Sequence, residues 1–183
     1  VHTMKRVVLA VALLMLGTVP PAMAEWQADG SKIQRKAEQA IAAFRDEVPR
    51  TAAYFEQAHA FVVFPSVTRV GFGFGGAYGK GIVIEKDRAI GTSKYWQFTS
   101  GIQAGAKNFS MIIFFKDQQA LEYYQSEKVQ FMGQAGLAVG TAGMAGTPAY
   151  NDGVAVVTLT RLGLMGEFTV SGARFSYQPV GTE

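Results

Sequence analysis

Cysteine is absent from this sequence, and histidine is almost absent. Without cysteine the chain can form no disulfide bond, offer no thiolate nucleophile and carry no acylated lipoprotein N-terminus. The two histidines are His2 and His59. Because zinc sites of the usual kind need several histidine or cysteine ligands, the composition excludes them. Packing alone must therefore stabilise the fold.

Catalytic motifs are also missing. A serine hydrolase would have to use His59, which stands beside a predicted strand, and no G-x-S-x-G motif accompanies it. The sequence NDG at 151–153 predicts a tight turn, since it lacks the further acidic positions of a calcium loop. We therefore expect a protein that is not an enzyme and that uses no cofactor and no metal. An enzyme acting on envelope lipid or glycan stays open as an alternative if an acidic side chain meets His59 in a pocket.

Long apolar runs are lacking as well. The ten-residue stretch at 7–16 is too short to cross a membrane as a helix. It follows Lys5 and Arg6 and precedes Ala-Met-Ala at 22–24, the small-x-small pattern of signal peptidase sites. We predict a cleaved signal peptide over residues 1–24 and one domain over residues 25–183. The mature protein is then expected to be periplasmic or secreted.

Charge is scarce and nearly balanced. The formal net charge is +3, from 17 basic and 14 acidic residues. Loss of Lys5 and Arg6 with the leader leaves 15 basic residues against 14 acidic ones. We therefore expect no nucleic-acid partner. Any anionic partner must be bound by a local cluster of cations.

Helical periodicity is strongest near the start of the mature chain. Residues 31–48 predict an amphipathic helix with Ser31 as its N-cap, ended by Pro49. A shorter helical segment is predicted at 52–57, with Tyr54 and Phe55 turned inward. A later helix is predicted at 117–128, with an aspartate as N-cap and with three inward side chains, namely Ala120, Leu121 and Tyr124.

From residue 60 onward the pattern is mostly that of strands. AFVVFP predicts a short buried strand that ends at Pro65. Two strands flank a polar turn at 85–88, a long strand or strand pair ends at Phe115, and a last strand begins at Val154. Small residues at 133–150 favour a further strand, with one face made of Gly136, Ala138, Gly140 and Ala142.

These elements predict an α+β fold. N-terminal amphipathic helices are expected to pack on a glycine-rich, strongly coiled, mostly antiparallel β-sheet or small barrel, with one later helix.

GFGFGGAYGKG at 71–81 contains the dinucleotide pattern G-x-G-x-x-G. A phosphate-binding loop needs a helix after these glycines, whereas the sequence that follows, GIVIE, is typical of a strand. An alternating pattern fits better, with small residues at 71, 73, 75, 77, 79 and 81 on one side. The other side then carries Phe72, Phe74, Gly76, Tyr78 and Lys80. A strand face of bare backbone predicts a sharply bent sheet or a close neighbour.

Three ordered segments resemble the SYLF domain family. They are VVFPSVTRVGFGFGGAYGKG, SGIQAGAKNFSMIIFF and RLGLMGEFTVSGARFSY, and the resemblance extends over residues 28–177. It implies a lipid-binding domain that holds anionic phospholipid head groups without catalysis. Eukaryotic members act in membrane trafficking and in actin patches, and some bind actin. Bacterial members are secreted or periplasmic, so actin and phosphoinositides are not expected as ligands here.

The expected partner is therefore an anionic phospholipid or membrane surface. A basic cluster on the first predicted helix is one candidate contact, and aromatic and basic residues of the glycine-rich strands are another. The candidate lipid-binding residues are Lys32, Arg35, Lys36, Arg69, Phe72, Phe74, Tyr78, Lys80 and Lys107. The alternatives are a solvated helix face and aromatic side chains buried in the core. A structural envelope protein that self-associates into homo-oligomers is the rival function.

Overall fold

The computed structural model describes residues 21–126, 130–132, 139–141, 150 and 152–181. Its helices are α1 (Pro21–Glu47), α2 (Ala52–Gln57) and α3 (Gln118–Gln125), with a 3-10 turn at Pro49–Thr51. Its strands are β1 (Ala60–Glu85), β2 (Arg88–Phe115), β3 (Gln130–Met132), β4 (Val139–Thr141) and β5 (Val154–Pro179). None of the described helices is long and apolar enough to cross a membrane.

The strands form one five-stranded sheet in the order β1-β2-β5-β3, with β4 beside β5. All pairings are antiparallel except that of β4 with β5. The predicted α+β class with a mostly antiparallel sheet is confirmed. Over the described residues the sheet is open, with β1 at one edge, and is not a closed barrel.

The chain divides into two compact units, Val1–Lys32 and Ile33–Glu183. Of the first unit the structure describes residues 21–32, which are helical. Helix α1 begins at Pro21, so Ser31 lies within the helix and the prediction that it is the N-cap was wrong. The helix does end one residue before Val48, as Pro49 requires.

The predicted helix at 52–57 is confirmed, and Tyr54 on it is buried. In α3, Asp117 Oδ1 accepts a hydrogen bond from the Ala120 backbone N–H at 2.9 Å, which confirms the predicted N-cap. The three side chains predicted to face inward from α3 are buried. The helix ends at Gln125, and Lys128 lies outside the described residues.

The turn between β1 and β2 has two residues, Lys86 and Asp87. Both have positive φ, 46° and 63°, as a tight hairpin turn requires. Glu85 pairs with Arg88 across it, so the predicted polar turn is confirmed. The turn at Asp152 and Gly153 likewise has positive φ, at 49° and 78°, directly before β5.

Strand β1 does not end at Pro65, so that prediction was wrong. The pairing with β2 shifts register between Phe64 and Val67 and then continues to Glu85. Such a bulge accommodates proline, which has no N–H to donate to the sheet. Ser110 Oγ donates to the Pro65 carbonyl at 2.8 Å and holds the bulge in place.

Strand β1 folds back on itself. A straight strand of 26 residues would measure about 85 Å at 3.3 Å per residue. Yet His59 and Glu85, at its two ends, lie 2.8 Å apart between Nε2 and Oε1. The bend is at residues 71–75, which we call the apex, where the register shifts between Phe72 and Phe74. Gly73 there has a φ of +71°, which glycine adopts at low cost. Residues 60–70 and 76–85 are the proximal and distal halves.

Glycines line the inside of this bend. A Cβ built on Gly81 would lie 2.7 Å from the Phe64 ring, and one on Gly79 would lie 2.8 Å from Val67 Cγ2. One on Gly75 would lie 2.6 Å from the Val70 carbonyl oxygen. The predicted close approach is confirmed for these positions. Gly73 departs from the predicted alternation because it lies in the bulge and is exposed.

Two hydrophobic clusters lie on opposite faces of the sheet. On the inner face, the rings of Phe64, Tyr95, Phe175 and Tyr124 pack together with α3. On the outer face, α1 covers the end of the sheet opposite the apex, which we call the base. The buried Phe44 of α1 belongs there to one cluster with residues of all three long strands. Those strand residues are Val63, Ile82, Ile112, Phe114, Ala155, Val157 and Leu159.

The predicted strand with Gly136, Ala138, Gly140 and Ala142 on one face lies largely outside the described residues. Only β4, Val139–Thr141, falls in the described part, where it runs parallel to Val156–Thr158 of β5. The prediction for the remaining positions stays a prediction.

Candidate functional site

Five aromatic side chains are exposed at and beside the apex. Phe72, Phe74 and Phe98 expose 86%, 70% and 73% of their surface. Tyr78 and Trp96 are also exposed. These five residues are called the aromatic face. They do not belong to either core cluster, which resolves the alternative of buried aromatics for Phe72, Phe74 and Tyr78.

Strand pairing brings the aromatic residues together. Tyr78 of β1 pairs with Trp96 of β2, and their ring centroids lie 6.0 Å apart. One row nearer the apex, Phe98 lies between Gly76 and Gly172. Directly paired residues of an antiparallel sheet project to the same side, so these rings share one face.

Three cations continue the same face away from the apex. Arg174 of β5 is the partner of Trp96, and Lys80 is the partner of Lys94 in the next row. All three are exposed. None of the residues at 76–82, 92–98 and 172–178, the paired segments here, is acidic. Two lysines directly opposite each other repel, which an anion between them would relieve.

An open groove of about 730 Å³ lies beside these residues. Its lining is mostly apolar and includes both halves of β1. The lining residues are Thr68, Val70, Gly76, Ala77, Tyr78, Trp96, Gln97, Phe98, Gly172, Ala173 and Arg174. The groove therefore exists only because the strand folds back. Its size falls within the range of small-molecule sites.

The structure separates two predicted site residues from the aromatic face. Arg69 is buried and pairs with Lys107. It lies two residues after Val67, so its side chain projects to the same glycine-lined inner side. Lys107 Nζ lies 5.7 Å from the Phe109 ring centroid, a cation–π contact on that side. These two cations therefore do not border the exposed aromatics, and their role as lipid contacts stays a prediction. The register shift at the apex does not exchange the two sides of the sheet, so the inner side and the aromatic face stay separate.

The basic cluster on α1 is exposed. Arg35 and Lys36 point away from the buried stripe of the helix, which includes Ala37 and Ala40. Lys32 is also exposed and belongs to the first unit. These positions agree with a solvated helix face and with contact to an anionic surface, so the two interpretations remain.

His59 does meet an acidic side chain, which was the condition for the enzyme alternative. Its Nε2 lies 2.8 Å from Glu85 Oε1, and both side chains are partly buried. The pair joins the two ends of β1, and the His59 backbone N–H donates to the Phe115 carbonyl at 2.9 Å. Neither residue lines the groove. The contact therefore closes the folded-back strand. In the described part of the chain no group of acidic and histidine residues could hold a metal.

Sequence reasoning missed Lys94, Trp96, Phe98 and Arg174. The first three alternate along SKYWQF, with Ser93 buried before them and Tyr95 buried between Lys94 and Trp96. The same alternation that was applied to residues 71–81 would have placed them on one face. Arg174 required the register of β2 with β5, which the sequence does not supply.

Comparison with known proteins gives a distant relative. The chain is similar to Beta cell expansion factor A of Aeromonas veronii, with 23% identity over 146 residues. The match covers 78% of this chain and 55% of the relative, so the chain spans about half the length of that protein. No family model matches the chain.

Proposed function

We propose that this protein is a non-enzymatic lipid-binding domain of the SYLF type that binds anionic membrane surfaces through its aromatic face. The observation that carries the proposal is the combination of five exposed aromatic side chains with Lys80, Lys94 and Arg174 on one face. The three segments that resemble SYLF domains lie in β1, β2 and β5, the strands that form this face, although Lys94, Trp96 and Phe98 precede the second segment. A periplasmic or secreted location belongs to the same proposal.

The energetics favour a membrane as the partner. Full burial of a phenylalanine side chain contributes about 1.5–3 kcal/mol. Insertion of Phe72, Phe74 and Phe98 into a bilayer would therefore supply a large part of the binding free energy. Each cation near an anionic leaflet adds about 1 kcal/mol. Tyrosine and tryptophan beside cations suit the boundary between lipid chains and head groups, where one end of the side chain is apolar and the other is wet.

Self-association through this face is the rival. Two copies related by a two-fold axis would place the same patch on both sides of the contact. Lys80, Lys94 and Arg174 of one copy would then face a surface of the same sign, with no acidic residue in the paired segments to neutralise them. An anionic lipid surface complements the charge, whereas a second copy repeats it.

The test is sedimentation of the protein with vesicles. Neutral phosphatidylcholine vesicles and vesicles with added phosphatidylglycerol are compared at low and high salt. We expect binding to the anionic vesicles that weakens with salt and leaves a residual part due to the aromatic side chains. Concentration-dependent oligomers without binding to either vesicle would support the self-associating alternative instead.

A further inference from the structure

The groove beside the aromatic face has features that a flat membrane contact does not need. Val70 of the proximal half and Tyr78 of the distal half both line it, so it is a concave site built by the fold-back. Its volume of about 730 Å³ lies in the range of pockets that hold one small ligand. Surface attachment to a bilayer requires only the exposed rings.

The chemistry of the lining selects the ligand. Most of the lining surface is apolar, and Arg174 is the charged residue among the described residues that form it. Arg174 is exposed and lies next to Trp96 across the β2–β5 pairing. A guanidinium group binds a phosphate through two parallel N–H donors, whereas an apolar trough binds an alkyl chain. Lys80 and Lys94 lie one row further on and add positive charge at the same end.

We propose that the groove binds a single anionic phospholipid molecule. One acyl chain lies along Val70, Tyr78 and Phe98, and the phosphate lies at Arg174. This inference rests on the proposed function, since it assigns a lipid to the same face, but it goes further: the protein holds a lipid monomer as well as a membrane surface.

Gly172 provides a way to fill the groove. A Cβ built on it would have no heavy atom within 4 Å, so the first carbon of an added side chain has open space. Gly172 lines the groove beside Phe98, whereas Phe72 and Phe74 at the apex do not line it. Gly172→Leu therefore obstructs the groove and leaves the apex unchanged, while Gly172→Ala is the matched control.

The experiment is calorimetric titration of the full chain with dodecanoyl lysophosphatidylglycerol below its critical micelle concentration. Dodecylphosphocholine and glycerol 3-phosphate serve as probes that lack the net negative charge or the chain. We expect the wild type to bind the lysolipid best, Gly172→Leu to weaken binding by about tenfold or more, and Gly172→Ala to change it by less than about twofold. Gly172→Leu should retain vesicle binding, because Phe72 and Phe74 stay exposed at the apex and the leucine adds apolar surface beside Phe98.

Arg174→Gln provides a second variant, which decides the matter if Gly172→Leu does not fold. It should weaken lysophosphatidylglycerol binding more than dodecylphosphocholine binding, because the choline cation already offsets the phosphate charge of the second probe. Wild-type binding to anionic vesicles without binding to the monomer would overturn the groove proposal and leave the proposed function intact. Unchanged monomer binding in both folded variants would also overturn it. Absence of binding to both monomer and vesicles would refute the proposed function as well.

Discussion

The outer face of the sheet has two regions that differ in what covers them. At the base, Val63, Ile82 and Phe114 lie under α1 and are almost inaccessible to solvent. Along the same face, Tyr78, Trp96 and Phe98 are exposed toward the apex. The same strands form both regions by the same alternation of side chains. A strand pattern therefore specifies a face, whereas the packing of α1 decides whether that face becomes core or a binding surface.

The two regions should therefore contribute to different properties. Truncation of a buried side chain at the base removes the free energy gained by its transfer out of water and leaves a cavity. Truncation of an exposed ring at the apex should change the stability of the folded protein little, but it would remove contacts with a ligand. Stability should depend on the base and binding on the apex. Four changes test that division.

Phe44→Ala should lower the free energy of unfolding by about 3–5 kcal/mol, because Phe44 is fully buried between α1 and the sheet. Phe72→Ala should change it by less than about 0.5 kcal/mol, since that ring is exposed. Denaturant titration of both variants measures the difference. Equal losses would mean that the apex rings are part of the core.

Gly81→Val should cost about 1–3 kcal/mol, because the added atoms meet the Phe64 ring and the Val63 carbonyl inside the bend. Gly172→Ala, whose Cβ has open space, is the control and should have little effect. The unfolding midpoints of the two variants give the comparison. If Gly81→Val is as stable as the wild type, the two halves of β1 do not pack closely.

Alkaline pH should weaken both hydrophobic clusters. Burial raises the pKa of Tyr124 above its ordinary value of 10.0, and burial together with Tyr54 raises the pKa of Tyr150 on the outer face to about 12. Both folded pKa values exceed the unfolded one. Their contribution is therefore fully present below about pH 10 and is lost as the pH rises toward the folded values. For Tyr124 the loss should reach about 1 kcal/mol by pH 11.

Unfolding of the wild type and of Tyr124→Phe between pH 8 and 11 measures this effect. The Tyr124 hydroxyl donates to Ser93 Oγ at 2.6 Å, and Ser93 in turn donates to the Ser176 carbonyl. The variant should therefore be less stable at pH 8 by about 1 kcal/mol but should lose less stability on going to pH 11. Parallel pH profiles for the two proteins would show that Tyr124 does not cause the loss.

Lys94→Glu should act in opposite directions on the two properties. It replaces the repulsion between Lys94 and Lys80 by attraction, which should raise stability by about 0.2–1 kcal/mol. It should also weaken binding to anionic vesicles, because it removes a cation and adds an anion on the proposed contact surface. Lys116→Glu, at an exposed lysine outside this surface, is the control. Loss of vesicle binding of the same size in both variants would indicate a nonspecific effect of net charge.

Much of this architecture could be predicted, because the two-residue alternation of strands and the capping of helices depend on neighbouring residues. That Phe72, Phe74, Tyr78 and Lys80 lie on the side opposite the glycines was predicted in this way, whereas the exposure of the aromatic side chains was not. The side of Lys107 depends on the strand register, which arises from pairings between residues far apart in the chain. Arg69 was already in phase with the glycines, so the alternation itself separates it from the aromatic face.

The fold-back and the groove could not be predicted from the sequence for the same reason, because both depend on pairings between residues far apart in the chain. The glycines indicated a close approach, yet the identity of the neighbour, Phe64 and Val67 of the same strand, follows from the bend at Gly73. Arg174 joins the site only through its pairing with Trp96. Local patterns thus predicted faces, while the long-range register determined which faces meet.

The most direct test of the account compares a variant of the aromatic face with a variant of an exposed aromatic elsewhere. The triple variant Phe72→Ser, Phe74→Ser and Phe98→Ser is compared with Tyr123→Ser on α3, where the ring is also exposed. Both are sedimented with phosphatidylglycerol-containing vesicles at high salt, which screens the cations. We expect the triple variant to stay in solution, while Tyr123→Ser sediments like the wild type. Sedimentation of the folded triple variant to the wild-type extent would contradict it.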